Sequence, residues 1–204
     1  MKTYINLVFC LFILTQLNAQ EDTFSTQKGE WIITNNIGFA TLEVENAFKT
    51  NTFILGGFIG KEFRISECYY IISGIEHLRL KSDISVLGET AYLNHNFIQV
   101  PVKIRTLFHK ERVTFFGEIG LYASHLYLAR TEIVSQDINT KDTGLGFNFG
   151  VTAGFGMKYQ ITNRHSVNVG LNTQSDLFQS YKDSNPKVSL DEVYMLQFGL
   201  GFRI

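Results

Sequence analysis

Cysteine, proline and long apolar runs are all scarce in this chain, and each scarcity excludes something. The 204 residues contain two cysteines and two prolines. Cys10 lies in an N-terminal apolar run that we expect to be removed. Cys68 is then left alone, which excludes an intrachain disulfide or a thiol metal cluster. After that first run, no apolar stretch reaches the roughly 18 residues that a membrane-spanning helix needs.

The chain also lacks a large excess of positive or negative charge. The formal net charge is −1 and the calculated pI is about 6.5, whereas a nucleic-acid surface needs clustered basic residues. We therefore expect no nucleic-acid partner, and no motif predicts a cofactor. The seventeen glycines, the 14% aromatic content and the many Val, Ile and Phe residues favour β structure.

The N-terminus has the layout of a secretory signal. One early positive charge at Lys2 is followed by an apolar run from Ile5 to Leu17 and by the small residue Ala19 before Gln20. We predict a cleaved signal peptide over 1–19, a polar lead-in over 20–29 and one domain over 30–204. The alternatives are a buried N-terminal helix or a membrane anchor, but the run is too short for a spanning helix.

The stretch from Leu145 to Tyr159 is the most informative part of the domain. Its odd positions are apolar, and its even positions are small or polar. Successive side chains of a strand point to opposite faces, so this pattern predicts one strand with an oily face and a Gly/polar face. A tilted strand crosses a bilayer in roughly 9–11 residues, so this one is long enough.

Similar patterns predict eight strands in the domain. Their expected ranges are 30–41, 50–62, 67–80, 91–107, 113–130, 145–159, 165–178 and 191–204. We expect short turns near 64–66, 109–112 and 160–164, and longer polar loops at 42–49, 81–90, 131–144 and 179–190. Alternating short turns and long loops is the layout of outer-membrane barrels, with both termini periplasmic and the long loops outside. Glu76 and Leu78 share a parity, which predicts a bulge or register change nearby.

Two kinds of barrel could use a two-faced strand. A soluble lipocalin-like barrel encloses its apolar face and needs a charged outer surface. Here the polar face is Gly, Asn, Thr and Gln with little charge, which suits the narrow lumen of an eight-stranded membrane barrel. We therefore predict an all-β, eight-stranded, antiparallel, up-and-down transmembrane β-barrel in the outer membrane, preceded by a short periplasmic lead-in at 20–29.

Several motifs follow one another in an order that resembles a known family. Phe97-Ile98-Gln99-Val100-Pro101-Val102-Lys103 is similar to a strand motif of the PorT-like outer-membrane β-barrel family of Bacteroidota. The segments at 116–122, 149–156 and 198–204 also resemble strands of that family, although Ile204 replaces the usual terminal Phe. The resemblance implies an outer-membrane location and recognition of the last strand by the barrel-assembly machinery. One family member takes part in type IX secretion, but no residue here marks that role.

Catalytic and metal-binding patterns are weak. Ser and His side chains must share a face to act together, yet Ser124-His125 and His165-Ser166 are adjacent and point apart. A triad assembled across strands stays open, but we expect no enzyme and no catalytic residues. Glu132, Asp137 and Asp142 lack the ligand density of a calcium loop, so no metal site is predicted.

Six charged residues have the parity of the barrel interior. They form a candidate lumen charge network: Lys103, Arg105, Glu118, Lys158, Asp176 and Arg203. Buried charge must be paired, so one interpretation is a salt-bridge plug that closes the barrel. The other is a gate or a binding site for a small polar ligand.

Four functional hypotheses follow. The leading one is a non-enzymatic structural or interaction barrel whose loops contact outer-membrane lipid, lipopolysaccharide, surface glycans or an envelope protein, since binding commonly resides in loops on a rigid scaffold. The second is an accessory of a secretion or envelope-assembly system that acts through its periplasmic turns. A lipid-modifying barrel enzyme and a soluble lipocalin-like binder are the weaker alternatives.

Overall fold

The computed structural model describes residues 29–86, 89–110, 112–133, 135, 137–181 and 187–203. The predicted signal peptide, residues 20–28 of the predicted lead-in and Ile204 lie outside this range. Eight strands account for nearly all of it: β1 (Glu30–Val44), β2 (Phe48–Arg64), β3 (Tyr69–Val86), β4 (Glu89–Lys110), β5 (Val113–Ile133), β6 (Ile138–Gln160), β7 (His165–Tyr181) and β8 (Val188–Arg203).

The strands form one closed antiparallel barrel. Each strand pairs with the next in chain order, and β8 returns to pair with β1 along nearly its whole length, from Glu30↔Arg203 to Val44↔Val188. Closure leaves no edge strand in the body of the barrel, whereas the projecting residues 82–86 of β3 and 138–143 of β6 pair on one side only. The predicted eight-stranded up-and-down barrel is confirmed. In the described part of the chain, no helix is long and apolar enough to cross a membrane.

Some strands extend beyond their neighbours at one end of the barrel. The end that carries Glu30 and Arg203, with the connections 65–68, 111–112 and 161–164, is called the terminal end here. At the opposite, far end, β1 connects to β2, β3 to β4, β5 to β6 and β7 to β8. Because β1 has 15 residues and β8 has 16, whereas β4 has 22 and β6 has 23, the extra length projects at the far end. We call β3–β4 and β5–β6 the projecting hairpins.

The predicted long loops are therefore wrong. Residues 81–86, 131–133 and 138–144 continue the strands, and the register of β5 with β6 runs up to Ile133↔Ile138. Residues 42–44 likewise extend β1. These segments are polar because their outward side chains lie beyond the apolar band, so the apolar alternation fades while the hydrogen-bonded ladder continues.

The outward face is an apolar band around the barrel. Ile119 is 69% exposed and Phe155 63% exposed although both are large and apolar. Exposed aromatic rings stand at the terminal-end edge of the band: Trp31, Phe63, Tyr69, Phe108, Phe115 and Tyr159. Others stand near the far edge: Phe39, Phe147, Phe178 and Tyr194. Between Phe108 and Ile98 on β4 the band rises about 25 Å along the barrel axis, given the usual strand rise and tilt.

Two expectations are wrong, one about the direction of a side chain and one about the register of two strands. Leu145 points inward and is only 9% exposed, because the pairing of β5 with β6 shifts between Leu126 and Leu128 and reverses the parity beyond it. Conversely, no register shift occurs where β2 pairs with β3. Glu76 and Leu78 are both buried in the lumen, so their shared parity reflects an interior that is polar in one layer and apolar in the next.

Glycine at two inward positions makes room for large lumen side chains. A Cβ on Gly150 would lie 2.4 Å from the Tyr122 hydroxyl, and one on Gly156 would lie 2.6 Å from the Phe116 ring. Tyr122 and Phe116 can therefore cover the β6 backbone inside a narrow barrel. The predicted assignment of the β6 glycines to the lumen face is confirmed for these positions.

Candidate functional site

The lumen is filled by side chains in three layers. The layer at the far end is apolar, and a single cluster of buried side chains occupies it: Ala40, Leu42, Val44, Ile54, Leu78, Leu80, Phe97, Leu126, Leu145, Val188, Leu190, Val193 and Met195. Sequence reasoning missed this layer, because it treated the inward face as Gly and polar throughout. The signal was present in the inward parity of Leu78 and Leu80.

The middle layer contains two buried carboxylates. Asp176 accepts hydrogen bonds from the Tyr122 hydroxyl at 2.6 Å, from Asn148 Nδ2 at 2.6 Å and from the backbone N–H of Leu190 at 2.8 Å. Glu76 accepts from Asn36 Nδ2 and from Gln174 Nε2. Among the described residues, neither carboxylate forms an ion pair, so the hydrogen bonds that these two groups accept come from neutral donors.

Several other polar atoms of the middle layer have no hydrogen-bond partner within the described chain. They include both side-chain polar atoms of Gln99, the Ser124 hydroxyl and Asn148 Oδ1. Gln99 pairs across the strands with Glu76 on one side and with Ser124 on the other, so these groups form one inward row. Buried polar groups of this kind are ordinarily satisfied by ordered water.

The layer nearest the terminal end is an alternating chain of charges. Glu118 binds Lys103 Nζ at 2.8 Å and Arg105 Nη2 at 2.7 Å. Arg105 Nη1 reaches Glu62 at 2.8 Å, and Lys158 Nζ lies 3.1 Å from the other Glu62 oxygen.

The same chain of charges continues to Glu30, the first residue of β1, and to Arg203, the last residue of β8. Lys158 Nζ lies 2.7 Å from Glu30 Oε2, and Arg203 Nε lies 3.5 Å from the same oxygen. Glu30 also accepts a hydrogen bond from the Ser166 hydroxyl. All these side chains are buried except Arg203, whose side chain is 50% exposed at the barrel mouth.

These ion pairs cross the lumen. β2 does not pair with β4 or with β6, yet Glu62 of β2 binds Arg105 of β4 and Lys158 of β6. The guanidinium of Arg105 also stacks 4.2 Å above the Phe116 ring. A continuous set of side chains therefore closes the terminal end, while the apolar layer closes the far end.

The structure places five of the six predicted lumen charges in one network. These are Lys103, Arg105, Glu118, Lys158 and Arg203. Asp176 is inward but lies in the middle layer, apart from them. Sequence reasoning missed Glu30 and Glu62, the two acids that join the cations. Inward parity on β2 could have found Glu62, and the pairing of the first strand with the last could have found Glu30.

The described side chains give little support for a catalytic nucleophile or for a metal site. The sheet separates each adjacent Ser–His pair: Ser124 and Ser166 are buried inside, whereas His165 is exposed and His125 stacks on the outward Phe147 ring. No described serine is hydrogen-bonded to a histidine. Within the described ranges, no group of three or more His, Cys, Asp or Glu residues could hold a metal ion.

Comparison with known proteins supports the fold and goes no further. No family model matches the chain, and no curated protein matches it. Neisserial surface protein A, of known structure, is 11% identical, with a TM-score of 0.54, over 87% of this chain and 100% of its own. OprG of Pseudomonas aeruginosa (14% identical, TM-score 0.49) aligns with 87% of this chain over 98% of its own. The protease OmpT of Escherichia coli (10% identical, TM-score 0.49) aligns with 91% of this chain over 99% of its own. The chain has the fold of an outer-membrane β-barrel.

Proposed function

We propose that the protein spans the bacterial outer membrane, with the terminal end in the periplasm and the projecting hairpins outside the cell. The apolar band, about 25 Å tall and edged by aromatic rings, matches the lipid-facing surface of such barrels. The predicted export signal supports the same location. Recognition of β8 by the barrel-assembly machinery, and membership of the PorT-like family, belong to this proposal too.

The proposed role is non-enzymatic, and it is exerted through the projecting hairpins. The observation that carries this proposal is the unequal strand length, which lifts β3–β6 well beyond the apolar band. The tip of the β5–β6 hairpin exposes polar residues on both strands, among them Glu132, Asn139 and Lys141. Because the lumen is filled, the accessible polar surface at this end is the outside of these hairpins, where an envelope protein, a glycan or lipopolysaccharide can bind.

Native cysteine labelling tests the orientation. Cys68 is exposed at the terminal end, so a membrane-impermeant maleimide should label it only after the outer membrane is permeabilised. A Cys68→Ser/Asp137→Cys variant, with its thiol at the tip of β5–β6, should react in intact cells. Labelling of Cys68 in intact cells together with protection of position 137 would reverse the proposed orientation.

A trimmed hairpin tests the role. Arg130 and Lys141 are cross-strand partners, so residues 131–140 can be replaced by an Asn-Gly turn without changing the register below. We expect this variant to fold and insert, but not to complement a deletion strain. Full complementation would contradict a role at the tip of β5–β6. It would favour the alternative, an accessory of a secretion or envelope-assembly system that acts through the terminal-end turns.

A further inference from the structure

Three cations stand outside the barrel, just beyond the apolar band of β3 and β5. Arg79, Lys81 and Arg130 are all exposed, and we call them the cationic ledge. Lys81 pairs across the strands with Asn94, and Asn94 pairs with Arg130. Lys81, Asn94 and Arg130 therefore form one row across β3, β4 and β5. Arg79 Nε donates a hydrogen bond to Asn94 Oδ1 at 3.2 Å, which holds its guanidinium beside that row.

The ledge lines a groove of about 410 Å³. Asp83, Tyr92 and Glu132 also line it, but they form the next row away from the apolar band. Within the described chain, neither acid forms an ion pair with a ledge cation. The ledge cations therefore lie between these acids and the apolar band, and no ion pair of the described chain involves them.

The height of the ledge matches the head groups of a bilayer. His77, Arg79 and Lys81 occupy successive outward positions of β3, starting beside Ile98 near the far edge of the band. Each such step raises a side chain by about 5 Å along the axis. The head-group layer is about 5–8 Å thick on each side of a bilayer, so Arg79 lies within it. Lys81, about 10 Å above the edge of the band, lies just beyond this layer and can reach it through its flexible side chain.

The opposite wall of the far end is different. Among the residues described there, Lys49 and Lys187 are each paired with an acid: Lys49 Nζ lies 3.4 Å from Asp191, and Lys187 Nζ lies 3.4 Å from Glu45. At the far end, the described exposed cations that form no ion pair thus lie on the side of β3–β6. This distribution favours one bound site over a general attraction around the whole rim.

We propose that the cationic ledge binds the phosphate of lipid head groups in the surrounding leaflet. The guanidinium groups of Arg79 and Arg130 suit phosphate because their N–H groups can donate two parallel hydrogen bonds to it. A lipid is the occupant because the ledge continues the apolar band, so acyl chains can pack on Ile98 and Leu121 while the phosphate contacts the cations. This inference is independent of a partner at the hairpin tip.

Native mass spectrometry of the folded, detergent-solubilised barrel tests this proposal. The protein is mixed with equimolar dioleoyl phosphatidic acid and dioleoyl phosphatidylcholine. We expect the wild type to retain phosphatidic acid preferentially. Basic groups near a lipid surface each contribute roughly fivefold in binding, so Lys81→Ser/Arg130→Ser should lower the preference by roughly 25-fold, or abolish it.

Two controls make the result decisive. Lys49→Ser/Lys187→Ser removes the same charge from the same end and should keep the preference, and Arg130→Lys should keep most of it. An unchanged preference in the ledge variant, or an equal loss in the matched control, would overturn the proposal. Displacement of phosphatidic acid by millimolar inorganic phosphate would also overturn it, since the ledge would then bind a soluble anion.

Discussion

The charge network makes a graded stability prediction. Glu118 is the sole carboxylate bound to Lys103 among the described residues, and it also holds Arg105. Glu118→Gln therefore leaves Lys103 buried without a carboxylate in ion-pair contact. Removing one partner of a buried ion pair costs about 3–5 kcal/mol, and we expect Glu118→Gln to lie near the top of that range.

Glu62→Gln should cost less, near 3 kcal/mol by the same principle. The reason is geometric: without Glu62, Arg105 keeps Glu118 at 2.7 Å and Lys158 keeps Glu30 at 2.7 Å. Each cation then still has one carboxylate. The exposed Glu67→Gln in the turn 65–68 is the matched control, because exposed substitutions usually stay within about 0.5 kcal/mol.

The assay is urea unfolding of the barrel in lipid vesicles, with the folded fraction read from gel mobility without heating. The free energy of unfolding follows by linear extrapolation. Adding Lys103→Met to Glu118→Gln should recover part of the loss, because it removes the unpaired cation. Equal free energies for Glu118→Gln and Glu67→Gln would refute the buried network, and no recovery in the double variant would refute the role assigned to Lys103.

Three further substitutions test other parts of the structure in the same unfolding assay. Ile119→Arg, at the middle of the outward band, should cost about 2–4 kcal/mol in lipid, whereas Ile119→Leu should be nearly neutral; equal behaviour would mean that Ile119 does not face lipid. Glu192 has a φ of 48°, so Glu192→Gly should stabilise the barrel by about 0.5–1 kcal/mol; destabilisation would contradict that backbone geometry. Gly150→Val would collide with both the Tyr122 ring and the backbone oxygen of Ser175 and should cost about 1–3 kcal/mol. In the Tyr122→Ala background only the Ser175 collision remains, so Gly150→Val should cost less there; the same cost in both backgrounds would exclude the contact with Tyr122.

The wall of the barrel was predictable from the sequence because lipid imposes a strict period of two. β4, β5, β7 and β8 alternate between large apolar and polar side chains, so their facing followed from parity alone. Five of the six predicted lumen charges consequently belong to one network. Where outward positions face lipid, each wrong residue is costly, and the pattern stays clean.

The alternation of apolar and polar residues weakens where the strands no longer face lipid. Beyond the band, Lys81, Asn139 and Lys141 are polar although they lie in strands, so the sequence pattern predicts loops there. Parity also fails across bulges, which moved Leu145 into the lumen. Glu62 was missed because Gly, Lys and Thr interrupt the alternation of β2, and its partners are 43 and 96 residues away in sequence.

The central claim is that the apolar face of a closed barrel lies in the outer membrane. Gel mobility of detergent-extracted outer membranes, with and without heating, tests it most directly. We expect the protein to sediment with the outer membrane and to migrate at a different apparent mass until it is boiled. Recovery in the soluble periplasmic fraction, with the same mobility before and after heating, would contradict it.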